Sequence, residues 1–323
     1  MTAKVFVTHQ LPGDRIHELA RHCELNVWMG PGLLSPSALR SELEGTSGLL
    51  CMLTDRIDRT VLNSLPDLKF VSSMSVGVDH IDVQAMSERG IPVGNTPGVL
   101  VDTTADTAFA LLLAAARRVA EADRFLRQGL WTDDNAWAPD FFTGKEVSGA
   151  TLGIIGLGEI GQAVARRAVG FGMRVLAWNR SPRSVPGVES VGLEDLLQRS
   201  DFVSVHVALT NQTRNLLNAS RIAMMKPGAV LVNTARGGIV DEQALAVALA
   251  NGGLSAAGID VFEREPVPAD NPLLGLPNVV ATPHIGSATT QTRARMANMA
   301  VDNVIAALAG RAMPCCVNPQ VYG

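Results

Sequence analysis

Thr151-Leu152-Gly153-Ile154-Ile155-Gly156-Leu157-Gly158-Glu159-Ile160-Gly161 is the stretch on which the reading of this chain turns. Leu152 to Ile155 is a short β-rich apolar run, and Glu159 to Val169 carries a helical pattern. A strand that enters a helix through Gly-x-Gly-x-x-Gly is the context in which such a turn binds a dinucleotide. Gly156 permits the tight turn, Gly158 lets backbone approach a pyrophosphate, and Gly161 allows the helix to pack close to the sheet. The helix N-terminus adds N–H groups and partial positive charge for the anion.

Outward from that turn, Arg174 to Trp178 completes a βαβ unit, and further strands are expected at Phe202 to His206, Val230 to Asn233, Ala256 to Asp260 and Val279 to Ala281. Upstream, Lys4 to Thr8, Gly48 to Leu53 and Phe70 to Ser73 read as buried strands, with helices at Ser35 to Glu44 and Arg59 to Ser64. Strand and helix in alternation imply right-handed crossovers and parallel sheets. Thr103 to Leu126 reads as one long helix capped by Asp102 or Thr103, so apolar that its own sheet or a second subunit must cover it. The aromatic loop Gly129 to Gly144, with Trp131, Trp137, Phe141 and Phe142, reads as packing. A final helix, Thr290 to Leu308, is expected to carry the chain back to the first unit. The fold class is therefore α/β with two parallel-sheet domains, 1–99 with 290–323 and 100–289.

The bulk numbers agree with that frame. The chain has 323 residues, enough for two cores, with 47% hydrophobic and 18% charged residues and a formal charge of -4. No basic footprint points to nucleic acid. The longest apolar run, Ala108 to Ala116, is short of the ~20 residues that span a bilayer. The N-terminal sequence reads as a strand without an h-region, and Cys23, Cys51, Cys315 and Cys316 lack zinc-ligand spacing or a Cys-x-x-Cys pair. The expectation is a cytoplasmic protein with reduced thiols, no metal and no membrane partner.

Arg180 and Arg183 follow the second strand of the βαβ unit in Trp178-Asn179-Arg180-Ser181-Pro182-Arg183, where an acidic residue would bind the ribose 2'-OH of NAD. Two guanidiniums and no carboxylate there favour the 2'-phosphate of NADP, with NAD still possible. Arg236, at the carboxyl end of Val230-Leu231-Val232, is placed to bind a carboxylate and to stabilise charge at an adjacent carbonyl. His284 is a candidate proton donor and acceptor, and Glu265 a candidate partner that stabilises its imidazolium. Together they are the parts for reducing the carbonyl of a small anionic substrate. His80 and Asp82 read as a cap or turn network, His206 borders the expected cofactor site, and His9, His17 and His22 have no chemical company.

Ser75-Val76-Gly77-Val78-Asp79-His80-Ile81-Asp82, Asn95-Thr96-Pro97-Gly98, the glycine turn, Asn233-Thr234-Ala235-Arg236-Gly237, Asp260-Val261-Phe262 with Glu265-Pro266, and Pro283-His284-Ile285-Gly286-Ser287 resemble the D-isomer-specific 2-hydroxyacid dehydrogenases. Within that family the chain is most similar to the glyoxylate/hydroxypyruvate reductases. The resemblance implies a flavodoxin-like substrate domain and an NAD(P)-binding Rossmann domain closing on the substrate, and a homodimer formed through the cofactor domain. It implies Arg236 as carboxylate and carbonyl binder, His284 as acid/base and Glu265 as its partner. It places the substrate against Leu53 and the N–H groups of Val76 and Gly77. The cofactor would meet Thr104, Gly156, Leu157, Gly158, Glu159, Ile160, Gly161, Asn179, Arg180, Ser181, Arg183, His206, Val207, Ala208, Thr213, Thr234, Ala235, His284 and Gly286, with Asp260 near the nicotinamide carboxamide. Ala208 stands where many members have proline, and the acidic residue after the second strand is absent.

The implied reaction is NADPH-dependent reduction of glyoxylate, hydroxypyruvate or a similar 2-oxo acid, giving the D-hydroxy acid where the product is chiral. Two alternatives remain: an NAD-dependent dehydrogenase of another D-2-hydroxy acid such as phosphoglycerate, and a non-catalytic nicotinamide sensor that binds partners.

Overall fold

The computed structural model describes residues 2–181 and 183–323; Pro182, inside the loop read as selecting the cofactor, and Met1 lie outside the described residues. In chain order the strands are β1 Lys4–Val7, β2 Glu24–Val27, β3 Gly48–Cys51, β4 Phe70–Ser73, β5 Val93–Gly94, β6 Thr151–Ile155, β7 Arg174–Trp178, β8 Val188–Ser190, β9 Phe202–Val205, β10 Ala229–Asn233, β11 Leu254–Ile259 and β12 Val279–Ala281. The α-helices are α1 Arg15–Leu19, α2 Pro36–Glu42, α3 Arg59–Asn63, α4 Val83–Glu88, α5 Val101–Ala116, α6 Val119–Arg127, α7 Glu159–Gly170, α8 Leu193–Arg199, α9 Ala219–Ala223, α10 Glu242–Ala250 and α11 Thr290–Leu308. The chain divides into two compact units, Met1–Leu100 with Ala288–Gly323, and Val101–Ser287.

The first unit is built on a parallel sheet ordered β2-β1-β3-β4-β5. Its strands β3 and β4 are buried throughout, which is why they read as continuous apolar runs, and Leu49, Leu62, Val71 and Met86 sit in one core cluster. Helix α11 packs on β4, and Ser72 donates to its Ala300 carbonyl at 2.9 Å. After α11 the chain hooks onto β5: Val317 N–H donates to Val93 O at 2.8 Å, and buried Asn318 accepts from Val93 N–H at 2.8 Å. Asp82 caps α4 by accepting from Ala85 N–H at 2.8 Å, and His80 Nε2 lies 3.0 Å from Ser73 Oγ, which is the turn network expected of that pair.

The second unit carries a parallel sheet ordered β12-β11-β10-β9-β6-β7-β8. Strand order reverses between β6 and β9, and open α/β sheets bind ligands beyond the carboxyl ends of the strands at such a point. Two core clusters fill the sheet's faces, one around Leu196, Leu231 and Leu245, the other around Leu112, Ile154 and Val230. Each fully buried Leu, Ile or Val side chain contributes about 1.5–3 kcal/mol. Helix α5 lies across β10 and β11 and against α7, so close that a Cβ on Gly258 would fall 2.8 Å from that of Leu111.

The long helix expected over Thr103 to Leu126 is two helices. It starts at Val101, ends at Ala116, and resumes at Val119 after Arg118, whose φ is 55°. The cause is a distant segment: Lys145 N–H takes the Ala116 carbonyl at 2.7 Å, the carbonyl that a continuing helix would have used. Arg118 also pairs with Glu121. Strands β2, β5 and β8 and helices α1 and α4 carry no expectation from the sequence, and α8, α9 and α10, which lie between strands of the second unit, carry no expected range. Cys23, Cys51, Cys315 and Cys316 are free thiols. No helix among the described residues is long and apolar enough to cross a membrane.

Candidate active site

The glycine turn occupies the switch point. Gly156 has φ 102°, and a Cβ there would lie 2.7 Å from the His206 carbonyl carbon and oxygen at the end of β9. A Cβ on Gly161 would fall 2.1 Å from the Gly156 carbonyl oxygen, so the first turn of α7 rests on the turn that precedes it. Gly158, at the N-cap of α7, is different: a Cβ would meet nothing within 4 Å. The turn is thus closed on the protein side and open where a phosphate would approach the N–H groups of α7. Leu157, Glu159 and Ile160 complete it, and Leu157 N–H donates to Asn179 Oδ1 at 3.2 Å.

A cavity of about 740 Å³ extends from this turn, lined in part by Gly156, Gly158, Asn179, Arg180, Arg183 and His206. Arg183 Nη1 donates to Leu157 O at 3.3 Å, and Arg180 Nη1 to Gln212 Oε1 at 3.4 Å, so both guanidiniums border the cavity from the β7 side. Asn179 Nδ2 donates to Ser181 O at 2.7 Å, tightening the loop. On the opposite wall Thr213 Oγ1 donates to Ala208 O at 2.6 Å and accepts from Thr210 N–H at 2.8 Å. This ties the stretch after Val207 with no proline at 208. Burial depresses the His206 pKa to about 4, so the ring is neutral at physiological pH, and its Nε2 lies 2.8 Å from Ser204 Oγ. Glu194, which pairs with Arg221 at 3.3 Å, and Gln212 are cavity residues that sequence reading missed. They belong to α8 and to a loop without a recognisable motif.

The strand ends beside the turn carry the acid, base and cation. Asn233 fastens the loop after β10: its Oδ1 accepts from Ala235 N–H at 3.0 Å and its Nδ2 donates to Arg236 O at 2.9 Å. Gly237 passes so close to the next loop that a Cβ would lie 1.9 Å from the Phe262 carbonyl carbon. The buried hydroxyl of Thr234 has no hydrogen-bond partner among the described residues. A buried orphan polar atom, an open glycine and two bordering guanidiniums fit a phosphate-bearing nicotinamide cofactor.

Glu265 and His284 meet directly, Oε2 to Nδ1 at 2.7 Å, with side chains 25% and 21% exposed. Burial by itself would raise the Glu265 carboxyl. The bond and charge of His284, the Phe262 N–H on Oε1 at 2.9 Å and the charge of Arg236 outweigh it and hold the pKa below the ordinary carboxylate value. His284 adopts φ 52°, a left-handed conformation that costs a residue with a side chain about 1–3 kcal/mol.

Asp260 holds the His284 loop in that shape. Completely buried, it accepts from Thr282 Oγ1 at 2.6 Å and Ile285 N–H at 2.8 Å on Oδ1, and from Gly286 N–H at 2.8 Å on Oδ2, while its carbonyl accepts from His284 N–H at 2.9 Å. This loop-forming duty was not legible in the sequence, which shows an acid after a strand but not its partners. Thr104, on α5, lies beside Gly286: a Cβ on that glycine would be 3.4 Å from Thr104 Cγ2. Within the first unit, Leu53 sits in the turn after β3, whose Met52 N–H is bound by Asp55 at 2.7 Å, and Val76 and Gly77 sit in the loop after β4. The second unit by itself therefore brings together the turn, the β7 loop, Thr234, Arg236, Asp260, Glu265 and His284.

The family profile described as D-isomer specific 2-hydroxyacid dehydrogenase, NAD binding domain, matches residues 109–286. A glyoxylate reductase from Korarchaeum cryptofilum is 48% identical over 99% of this chain and 97% of its own. A solved structure of a Thermus thermophilus protein superposes with a TM-score of 0.90 at 48% identity, covering 97% of this chain and 99% of that one. An NADPH-dependent glyoxylate/hydroxypyruvate reductase from Sinorhizobium meliloti, solved with NADP and malonate, superposes with a TM-score of 0.88 at 32% identity, over 99% of this chain and 98% of that one. With the glycine turn at the switch point and the Glu265–His284 pair beside it, the chain belongs to the D-isomer specific 2-hydroxyacid dehydrogenase family, whose members depend on NAD(P).

Proposed function

We propose that this enzyme reduces a small 2-oxo acid, glyoxylate or hydroxypyruvate, with NADPH, and that a chiral product is the D-isomer. The observation that carries the reading is the 2.7 Å pair of His284 Nδ1 and Glu265 in the unit that holds the glycine turn, with the Arg236 charge acting on the same carboxylate. The reductase names of the Korarchaeum and Sinorhizobium relatives support the substrate class.

The nicotinamide, when bound, supplies hydride to the carbonyl carbon. Glu265 holds Nδ1, so Nε2 of His284 is the nitrogen that passes its proton to the carbonyl oxygen, and in the reverse direction takes it from the alcohol. The depressed Glu265 pKa keeps that group a carboxylate at neutral pH, the form that accepts the hydrogen bond from Nδ1 of His284. Arg236 binds the substrate carboxylate and offsets the charge that develops on the oxygen. Leu53, Val76 and Gly77 are assigned to the substrate. The cofactor residues are the glycine turn, Thr104, Asn179, Ser181, His206, Val207, Ala208, Thr213, Thr234, Ala235, Asp260 and Gly286. Arg180 and Arg183 bind the 2'-phosphate. Self-association is assigned to the second unit, the cofactor domain through which the family resemblance implies a dimer; Val119, Leu126, Leu130, Trp131 and Trp137 are exposed there, on and after α6.

Incubation with NADPH and hydroxypyruvate, followed by chiral chromatography, tests the reading. D-glycerate alone is expected; L-glycerate, or NADPH oxidation without a hydroxy acid, contradicts it.

A further inference from the structure

The loop after β4 has an uneven distribution of hydrogen bonds. Its three successive carbonyls are all occupied: Ser75 O accepts from Thr96 N–H at 2.9 Å, Val76 O from Asn95 Nδ2 at 2.9 Å, and Gly77 O from the Ser75 hydroxyl at 2.8 Å. The N–H groups of Val76 and Gly77 donate to no acceptor among the described residues. Two adjacent N–H groups that have no acceptor, beside carbonyls that are all engaged, are available to an anion.

The groups that occupy the carbonyls are themselves held. Asn95 N–H donates to Cys315 O at 3.2 Å, and its carbonyl accepts from Asn303 Nδ2 at 3.0 Å. Asn303, fully buried on α11, completes the bracket by accepting from Cys315 N–H at 3.0 Å. Gly94 is needed beside it, because a Cβ there would lie 2.7 Å from Asn303 Nδ2. On the other side, the single Ser75 proton goes to Gly77 O. Ser73 must then donate to Ser75 across 2.7 Å, and His80 Nε2 to Ser73 across 3.0 Å. The donors form one directed chain ending on the Gly77 carbonyl.

We propose that Asn95 and Ser75 are positioning residues for substrate: by holding the carbonyls of Val76 and Gly77 they keep the two N–H groups of that loop turned out for the carboxylate of the 2-oxo acid. This rests on the assignment of Val76 and Gly77 to the substrate made above. Neither side chain touches the reacting atoms; each acts through the backbone it holds.

The test compares holoenzymes of wild type, Asn95→Asp and Ser75→Ala. Asn95→Asp preserves shape but replaces the donor by an oxygen facing a carbonyl, and Ser75→Ala releases Gly77 alone. Removing one such donor is expected to raise KM for glyoxylate about tenfold with kcat changed less than about threefold. Calorimetric affinity for oxalate, which shares the carboxylate and adjacent oxygen of a 2-oxo acid, should fall in step while NADPH affinity and Tm hold. Wild-type KM and oxalate affinity in Ser75→Ala, or a loss confined to kcat and Tm, overturns the proposal, and Ser75→Ala decides alone if Asn95→Asp does not fold. A wild-type enzyme that turns over no 2-oxo acid yet shows the oxalate contrast between variants would instead overturn the activity and leave the anion cradle standing.

Discussion

At the scale of single residues, the pairing of His284 with Glu265 makes the sharpest demands. His284→Ala removes the proton donor but leaves the glycine turn untouched, so kcat should fall by about 10²–10⁴ while NADPH affinity, measured by fluorescence titration, stays within about twofold. Near-wild-type kcat would remove His284 from its role. Glu265 makes a second, thermodynamic prediction. Its folded pKa lies below the unfolded value of about 4.3, so its contribution to stability is fully present above that pH and is lost as pH falls through the folded pKa. The Tm of Glu265→Gln should therefore sit below wild type at pH 6–7, and the gap should close as the pH is lowered past about 4. A gap that persists undiminished at pH 3 would show that the carboxylate charge is not what stabilises the fold. The residues of this pair were legible because their motifs are local in sequence. Asp260's grip on the 282–286 loop and Asn95's hold on Val76 were not, because the motifs show those two side chains but not the backbone groups that they hold.

Elements show the same division between local and distant causes. Strands β6, β7, β9 and β10 were readable as apolar runs because parallel strands buried on both faces need no alternation. Edge strand β2, with exposed Glu24 and Asn26 between half-buried Leu25 and Val27, gave too little contrast, and β8 is only Val188–Ser190. The break between α5 and α6 was invisible because the residue that ends α5, Lys145, lies beyond α6 in the chain. The glycine turn allows two substitutions to be told apart. Gly161→Ala drives a methyl into the Gly156 carbonyl and should lower stability by about 1–3 kcal/mol or prevent folding. Gly158→Ala points into open space, so Tm should hold while cofactor affinity drops at least tenfold, because the methyl fills the phosphate's path. Equal effects of the two on Tm would contradict the division of roles. In the β7 loop, Arg180→Ala with Arg183→Ala should weaken NADPH about tenfold or more and NADH little, one charge-assisted contact being worth about 1.5–3 kcal/mol. Equal losses would refute the 2'-phosphate assignment.

At the scale of the whole molecule, the chain combines a small sheet of flavodoxin-like order with a larger sheet whose reversal carries the glycine turn, and its last segment returns to the first unit through α11 and the hook onto β5. Light scattering after size exclusion should give twice the chain mass, and Leu126→Arg with Trp131→Glu should give monomers; a wild-type monomer at micromolar concentration would contradict self-association through the second unit. The pairing of NADPH with a small 2-oxo acid is measured by comparing kcat/KM for NADPH and NADH with glyoxylate, hydroxypyruvate, pyruvate and a bulky aromatic 2-oxo acid. The highest value is expected for NADPH with glyoxylate or hydroxypyruvate. Preference for NADH, or for the aromatic acid, would contradict it, as would cofactor binding without turnover of any acid.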